Sequence, residues 1–317
     1  MAIAKKKLLE MYRTMIMSRR VEDKLNEFLT LPGRAGMPWL HRRVGEEAIP
    51  ASVCANLKKE DYYHPNFGQV SCNFAKGLPL VDVFASECCR ARHTGSIAFD
   101  LNYGLLAWTG ALGEDVGFYT GAAITAMMTK NGLISFFICG DGAASRGPIH
   151  ESMVFAASWN LPMVFAIQNN QYGMGTSAKK IYKMKDISDR AKAYGFPGES
   201  VDGNDVIACY EVVKKYVDRA RNGGGPGLIA FETYRLRGHY EGDPAVYRPK
   251  GEAEEWWKKD PIPRYQKKLM EMGVLTEADV NRIDVEVKAE VDEAAEAGLK
   301  VPFRTIEDYK KTVIGDL

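Results

Sequence analysis

The sequence has almost no excess of charge of either sign. Its 42 lysines and arginines balance 41 aspartates and glutamates, for a net charge of +1. This balance gives no electrostatic reason to bind nucleic acid or a membrane surface. The chain also lacks an apolar run long enough to span a membrane, and its N-terminus lacks the apolar stretch of a secretory signal. We therefore expect a cytoplasmic protein that binds neither nucleic acid nor membrane.

Cysteines are present, but no two of them have the spacing of a metal site. The six are Cys54, Cys72, Cys88, Cys89, Cys139 and Cys209. Several lie in apolar segments, which favours buried, reduced thiols over metal ligands or disulfides.

The length of 317 residues is sufficient for a large buried core, in one domain or two. Apolar residues at helical spacing mark residues 8–28, and again residues 280–294 after a potential cap at Thr276. Residues 117–130 are rich in small and apolar side chains, which predicts a helix that is buried on most sides. We expect one α/β domain over residues 1–317, with a mostly parallel sheet flanked by helices and helical extensions at both ends.

The middle of the chain contains a strand–helix–strand pattern with polar motifs at both strand ends. Residues 134–139 and 161–167 are short apolar runs typical of buried strands, and residues 148–159 have helical spacing. Gly-Asp-Gly follows the first strand at 140–142, and Asn-Asn-Gln-Tyr follows the second at 169–172. The crossover predicts two parallel strands whose carboxyl ends meet at one edge of the sheet.

This geometry brings the side chains of Asp141 and Asn170 together. Neighbouring strands lie about 5 Å apart, and open α/β sheets bind ligands at their carboxyl edge. A carboxylate, an amide oxygen and a nearby backbone carbonyl are the hard donors that Mg²⁺ prefers. Gly142 lets backbone N–H groups approach an anion where the chain enters the helix. Gly-Asp-Gly alone is a common turn, but in this combination it indicates a site for a magnesium-bound diphosphate.

The same residues resemble the thiamine diphosphate-binding fingerprint. More narrowly, the chain is similar to the alpha subunits of the decarboxylating component of 2-oxo acid dehydrogenase complexes, which act on pyruvate, branched-chain 2-oxo acids or acetoin. The resemblance extends over nearly the whole chain. It is carried by the motifs at 169–177, 202–205, 234–244 and 256–262. It implies the thiamine diphosphate-binding fold, with thiamine diphosphate and Mg²⁺ as cofactors.

The resemblance also implies roles for individual residues at the metal and diphosphate. Asp141 and Asn170 match the family's magnesium ligands, and Tyr172 matches the residue that contributes a backbone carbonyl. Gly142 and Ala143 match the residues whose amides hold the diphosphate.

Two further segments match residues around the rest of the cofactor. Gly110 and Leu112 match the positions that support the aminopyrimidine and its bent conformation. His239 matches a catalytic histidine on a mobile loop that reaches the cofactor, and Arg235 on the same loop is expected to face the diphosphate. Arg237 is a further potential anion ligand in this loop. The remaining histidines, which we interpret as structural, are His41, His64, His93 and His150.

The chain departs from the family pattern at two positions near the cofactor. Phe67 and Gly68 stand where the family has a Tyr-Arg pair that contacts the diphosphate. The loss of that arginine removes a bidentate, permanently charged phosphate ligand. Thr94 to Ala98 replaces a segment that ends in a histidine near the substrate. The metal end of the site is thus retained in sequence, and the substrate side is altered.

Glu114 and Asp115 stand where the family usually has small or amide residues. They either add acidity near the reacting centre or face solvent, and we expect them to face solvent.

The resemblance implies that a separate beta subunit supplies the glutamate that activates the cofactor, in a heterotetramer of two alpha and two beta subunits. Nothing in the sequence assigns that role to Glu46 or Glu47. Three functions remain open. The first is decarboxylation of a 2-oxo acid with transfer of the acyl group to a lipoyl-bearing acyltransferase. The second is a carboligase or C–C lyase without a lipoyl partner, and the third is a non-catalytic subunit.

Overall fold

The computed structural model describes residues 3–32, 41–88, 90, 100–106, 110–303, 305–307 and 310. The helices are α1 (Lys5–Phe28), α2 (Ala48–Cys54), α3 (Ser71–Ala75), α4 (Leu80–Glu87), α5 (Val116–Thr129), α6 (Gly147–Ser158), α7 (Ala178–Ile181), α8 (Val206–Arg221), α9 (Glu252–Trp257), α10 (Pro261–Glu271) and α11 (Glu277–Lys300). The strands are β1 (Tyr62–Tyr63), β2 (Ser135–Gly140), β3 (Met163–Asn169), β4 (Tyr172–Gly173), β5 (Thr176–Ser177), β6 (Gly198–Asp202) and β7 (Gly227–Glu232).

The main sheet has five strands in the order β1-β2-β3-β7-β6, and every neighbouring pair is parallel. This confirms the predicted α/β class. The predicted strand–helix–strand unit is β2-α6-β3, with each boundary within two residues of its expected position. Gly140 pairs with Gln168, so β2 and β3 end at the same level of the sheet.

Both faces of the sheet are buried, because alternate side chains of each strand enter different cores. Phe136 and Ile138 of β2 pack into the core formed with α1, α2, α8 and α11. Phe137 and Cys139 pack into a second core with α5 and α6. The sheet is therefore held between two helical layers, and the polar residues Asp141 and Asn170 follow the carboxyl ends of β2 and β3.

The helix starts follow local capping chemistry. The side chain of Asp205 accepts the N–H groups of Ile207 and Ala208 at the start of α8. Thr276 and Asp279 form a reciprocal capping box at the start of α11, which confirms the cap predicted at Thr276.

Helix α5 differs from its prediction. Its small and apolar residues predicted a helix buried on most sides, but Phe118, Gly121 and Met128 are exposed. One face packs on β2 through Tyr119 and Ala123, and the opposite face reaches the protein surface. Hydrophobic composition could not distinguish these two faces. No helix in the described part of the chain is both long enough and apolar enough to cross a membrane.

The described cysteines are all free thiols. Cys72, Cys88, Cys139 and Cys209 are buried and Cys54 is half-buried, as expected. Cys89 lies outside the described residues.

Candidate active site

Asp141 and Asn170 both lie at the carboxyl edge of the sheet, each one residue beyond the end of its strand. Both are almost completely buried from bulk solvent. Both line a cavity of about 260 Å³, whose wall also includes Tyr172, Arg235 and His239. The structure thus places the three predicted metal ligands and both predicted loop residues around one cavity.

The guanidinium of Arg235 shows where the predicted metal ligands converge. Its Nη2 donates a hydrogen bond to the backbone oxygen of Tyr172 at 3.1 Å and lies 3.5 Å from Oδ1 of Asn170. One cationic nitrogen therefore lies within 3.5 Å of both oxygens. An amide oxygen and a backbone carbonyl that share a cation in this way fit a Mg²⁺ site.

The carboxylate of Asp141 supplies the charged ligand of this set. Its Oδ2 is buried and makes no hydrogen bond, and a buried unpaired oxygen of this kind is costly unless a ligand satisfies it. Burial raises the pKa of Asp141 to about 6, although the nearby Arg235 opposes the shift. Among the described residues no cluster of three or more His, Cys, Asp or Glu could hold a metal. The set at Asp141 instead combines one carboxylate with two neutral oxygens, and it fits Mg²⁺.

Glu46 is a buried residue of the site that sequence reasoning did not identify. Its carboxylate accepts a hydrogen bond from Nδ2 of Asn170 at 3.1 Å and another from Nε2 of Gln168. Because the amide nitrogen of Asn170 is held in this way, its oxygen is directed toward Arg235. Glu46 also lies 3.4 Å from Nη1 of Arg43 and 3.8 Å from Nε of Arg235. It therefore positions one predicted metal ligand and balances two arginines.

Backbone hydrogen bonds between two distant segments explain how Glu46 reaches the site. The segment before α2 runs beside the loop that follows β7: Leu236 N–H donates to the oxygen of Val44, and Arg42 N–H donates to that of His239. The paired carboxylates at 46 and 47 were visible in the sequence, but this pairing with a loop nearly 200 residues away was not.

The predicted diphosphate end has a close backbone approach. Gly142 and Ala143 line the cavity, and a side chain at Gly142 would place its Cβ 3.1 Å from Cα of Gly173. A single 3₁₀ turn follows at Ala143–Ser145, and α6 begins only at Gly147. Gly142 thus enters a short turn that leads into α6, whose start lies one residue before its predicted position.

His239 is held as a neutral imidazole. Its Nδ1 contacts Nη1 of Arg235, which can only donate, so the ring proton is on Nε2. Burial and then the charge of Arg235 lower the pKa of His239 to about 3. The backbone N–H of His239 donates to Asp243 at 2.7 Å, which fixes the loop. The loop histidine can therefore donate a hydrogen bond through Nε2 without carrying charge.

His41, interpreted as structural from the sequence, lies next to this loop. Its ring centroid is 4.9 Å from that of His239 and 4.5 Å from that of Phe67. Burial lowers the pKa of His41, and the charge of Arg43 adds to this effect. His41 thus packs between the loop that carries His239 and the segment that departs from the family pattern.

The expectation that Asp115 faces solvent was wrong. Asp115 is completely buried and lines the cavity together with His64. Its Oδ2 lies 3.5 Å from Nε2 of His64. Asp115 directly precedes α5, and its carboxylate faces the imidazole of His64, which directly follows β1. Glu114 does face solvent, where it pairs with Arg146 at 2.7 Å.

The remaining predicted positions have mixed placements. Leu112 lines the cavity and is half-exposed at its rim. Gly110, in the left-handed region with φ +76°, is exposed and is not one of the residues that line the cavity. Arg237 pairs with Asp23 at 3.3 Å and is directed away from the cavity. Thr94 to Ala98 and His93 lie outside the described residues.

Comparison with known proteins places this site in a family. The dehydrogenase E1 component model matches residues 12–307. The alpha subunit of acetoin:2,6-dichlorophenolindophenol oxidoreductase from Bacillus subtilis is 37% identical, over 98% of this chain and 92% of the relative. The pyruvate dehydrogenase E1 component subunit alpha of Porphyra purpurea is 30% identical, over 99% and 94%. The 2-oxoisovalerate dehydrogenase subunit alpha of Bacillus subtilis is 31% identical, over 94% and 92%. These matches confirm the resemblance seen in the sequence, and the chain belongs to the dehydrogenase E1 component family, among its alpha subunits.

Proposed function

We propose that this chain is the alpha subunit of an enzyme that uses thiamine diphosphate and Mg²⁺ to decarboxylate a 2-oxo acid and passes the acyl group to a lipoyl-bearing acyltransferase. The observation that carries the proposal is the convergence of Asn170 Oδ1 and Tyr172 O on one cation beside the unpaired carboxylate oxygen of Asp141. Family membership supports the coenzyme. We also propose that residues 1–317 form one domain.

The bound coenzyme would supply a carbon nucleophile and an electron sink. The chain would bind the coenzyme and hold it in position. Asp141, Asn170 and the Tyr172 carbonyl would hold the metal, and the backbone at Gly142 and Ala143 would approach the diphosphate. Nε2 of His239 would donate a hydrogen bond to an oxygen of the substrate, because its ring is neutral and its other nitrogen is engaged by Arg235.

A beta subunit is part of the proposal. Leu112 and Met174 line the cavity, and both are exposed at its rim, 43% and 62% respectively. Apolar side chains at the mouth of a cavity are suited to be covered by a partner. We propose that the beta subunit closes this side, supplies the activating carboxylate, and completes a heterotetramer of two alpha and two beta chains. The isolated chain should therefore turn over no substrate.

Binding and turnover test the two parts of the proposal. Calorimetry of the alpha–beta complex should show thiamine diphosphate binding with Mg²⁺ and little binding with EDTA. Asp141→Ala should abolish it, whereas Glu114→Gln, which alters an exposed carboxylate, should not. No binding heat in the wild-type complex would favour a non-catalytic subunit. Turnover of a 2-oxo acid by the alpha chain alone would contradict the need for a partner.

A second candidate is cleavage of a 2-hydroxy ketone, such as acetoin, without a lipoyl partner. Acetoin:2,6-dichlorophenolindophenol oxidoreductase alpha subunits from Bacillus subtilis and Cupriavidus necator are 37% and 32% identical to this chain. Release of the hydroxyl-bearing half as an aldehyde requires removal of a hydroxyl proton, whereas a carboxylate that leaves as CO₂ has none. The buried His64–Asp115 pair in the cavity is a group that could take that proton.

Two assays of the reconstituted complex distinguish these candidates. Acylation of an isolated lipoyl domain with a 2-oxo acid would support the first. Reduction of 2,6-dichlorophenolindophenol with acetoin, without acylation of the lipoyl domain from any 2-oxo acid, would support the second.

A further inference from the structure

The position that matches the family's diphosphate-binding arginine cannot carry a side chain in this protein. Gly68 has φ +70°, a conformation that residues with a Cβ rarely adopt. A Cβ at this position would also lie 2.5 Å from Cβ of His41. The space into which an arginine would extend from residue 68 is therefore occupied by His41.

A different arginine reaches the same place from another segment. Nε of Arg43 donates to the backbone oxygen of Phe67 at 3.1 Å, and Nη2 donates to the same oxygen. The guanidinium is thus hydrogen-bonded to the residue that directly precedes Gly68. The Arg43 side chain is only 8% exposed, and it lines the cavity together with Asp141 and Gly142.

Arg43 keeps hydrogen-bonding capacity for a ligand. A guanidinium has five N–H donors. Phe67 takes one from Nε and one from Nη2, and Glu46 takes one from Nη1 at 3.4 Å. One N–H on each terminal nitrogen remains, which is the paired arrangement that binds phosphate oxygens.

The charge around the cavity also calls for an anion. Arg43 and Arg235 are both buried and both line the cavity, where their like charges repel each other. Glu46 contacts both guanidiniums and offsets part of this repulsion. A second anion between them would offset the rest.

We propose that Arg43 binds the diphosphate of the coenzyme and replaces the arginine that Gly68 cannot supply. This inference rests on the proposed function, since it assigns a new ligand to the same coenzyme. It also explains how the chain can keep a diphosphate site despite the loss of the family's Tyr-Arg pair.

The test compares binding of thiamine diphosphate with binding of thiamine, which lacks phosphate, to the alpha–beta complex in Mg²⁺. Arg43→Met should weaken thiamine diphosphate binding by about 10- to 100-fold, the range expected for charge-assisted hydrogen bonds. Thiamine binding should change much less. Arg43→Lys should recover part of the lost affinity, because it keeps the charge but not the paired donors. Inorganic diphosphate should compete with thiamine diphosphate in the wild-type complex and only weakly in Arg43→Met.

Arg237→Gln is the matched control, since Arg237 is a nearby arginine that pairs with Asp23 and does not line the cavity. It should leave both affinities unchanged. If Arg43→Met weakened the two ligands equally, or neither, Arg43 would be only a structural residue that holds Phe67. If the wild-type complex bound no thiamine diphosphate, the proposed function itself would fail. That outcome can be distinguished from an equal loss of the two ligands and from no loss of either. Thermal unfolding of each variant identifies any that fails to fold, in which case Arg43→Lys decides.

Discussion

Nε2 of His64 lies 3.5 Å from Oδ2 of Asp115, and the other ring nitrogen lies 2.7 Å from the backbone oxygen of Ile138. A carbonyl oxygen can only accept, so Nδ1 carries a proton. Nε2 then faces a carboxylate oxygen at the wall of the cavity. The two side chains form a histidine–carboxylate pair, and both are of the types that carry out general acid–base catalysis.

We expect Asp115→Asn to remove this histidine–carboxylate pair without removing the cofactor site. In the alpha–beta complex kcat should fall about 100-fold, the usual scale of general acid–base catalysis, and the loss should be larger with a 2-hydroxy ketone than with a 2-oxo acid. The affinity for thiamine diphosphate should change by less than about twofold, because the pair is not among the proposed ligands of the metal or the diphosphate. Steady-state kinetics and calorimetry measure the two effects. Glu114→Gln, which alters the exposed neighbouring carboxylate, should leave kcat and the affinity for thiamine diphosphate unchanged. Full kcat in Asp115→Asn with both substrates would rule out proton transfer by the pair.

Truncation of Glu46 should destabilise the folded chain strongly. Its carboxylate is completely buried and serves Asn170, Gln168, Arg43 and Arg235. Glu46→Ala would leave buried charges and amides without partners, and we expect the free energy of unfolding to fall by about 3–5 kcal/mol. Urea denaturation of the isolated chain measures this. Glu255→Ala, which breaks an exposed pair with Lys258, should cost less than about 1 kcal/mol. Equal losses in the two variants would contradict the role of Glu46.

Addition of one methyl group at Gly142 should disturb the diphosphate end of the site. The new Cβ would meet the Cα of Gly173 at 3.1 Å, and backbone atoms cannot move aside as a flexible side chain can. We expect Gly142→Ala to cost about 1–3 kcal/mol of stability and to weaken thiamine diphosphate binding in the complex. Gly121→Ala in α5 is the control, because no atom lies within 4 Å of its Cβ position. It should stabilise the isolated chain by about 0.5–1 kcal/mol. The prediction fails if both variants melt at the wild-type temperature or above it.

Glu22 should make the stability of the chain fall as the pH rises. Burial raises the pKa of this carboxyl from 4.5 to about 8, the nearby Glu47 adds to the shift, and the Arg43 backbone N–H opposes it. The folded state therefore holds a proton that the unfolded state has released, so the contribution is complete below pH 4.5 and is lost as the pH passes through 8. Between pH 6 and 8 the loss should approach about 2 kcal/mol.

Glu22→Gln keeps an acceptor for the Arg43 N–H and cannot titrate, so it should remove this part of the pH dependence. Urea denaturation of the isolated chain at pH 6 and pH 8 gives the comparison. Glu87, a buried carboxyl whose raised pKa is due to burial and not to Glu22, remains in both proteins and cancels in the difference. The same pH dependence in wild type and variant would show that Glu22 does not carry it.

Local sequence patterns predicted the β2-α6-β3 unit and the placement of Asp141 and Asn170 at the same edge of the sheet. Two apolar runs of strand length that are joined by one helix form a parallel pair of strands. Parallel neighbours have their carboxyl ends at the same edge of the sheet. The cap at Asp205 and the capping box at Thr276 were predictable for a related reason, since each depends on residues within one turn.

Which other side chains line the cavity depends on contacts between segments far apart in the chain. Arg43, His64 and Asp115 come from separate segments, and no local pattern records that residues 41–45 pair with the loop after β7 or that Asp115 faces the end of β1. Burial of these charges depends on partners distant in the chain, so composition alone favoured solvent for Asp115. The same limit applies to α5, where an apolar sequence did not reveal which face would meet the core. Local chemistry is encoded within a few residues, whereas the pairing of buried charges exists only once the segments that carry them have packed together.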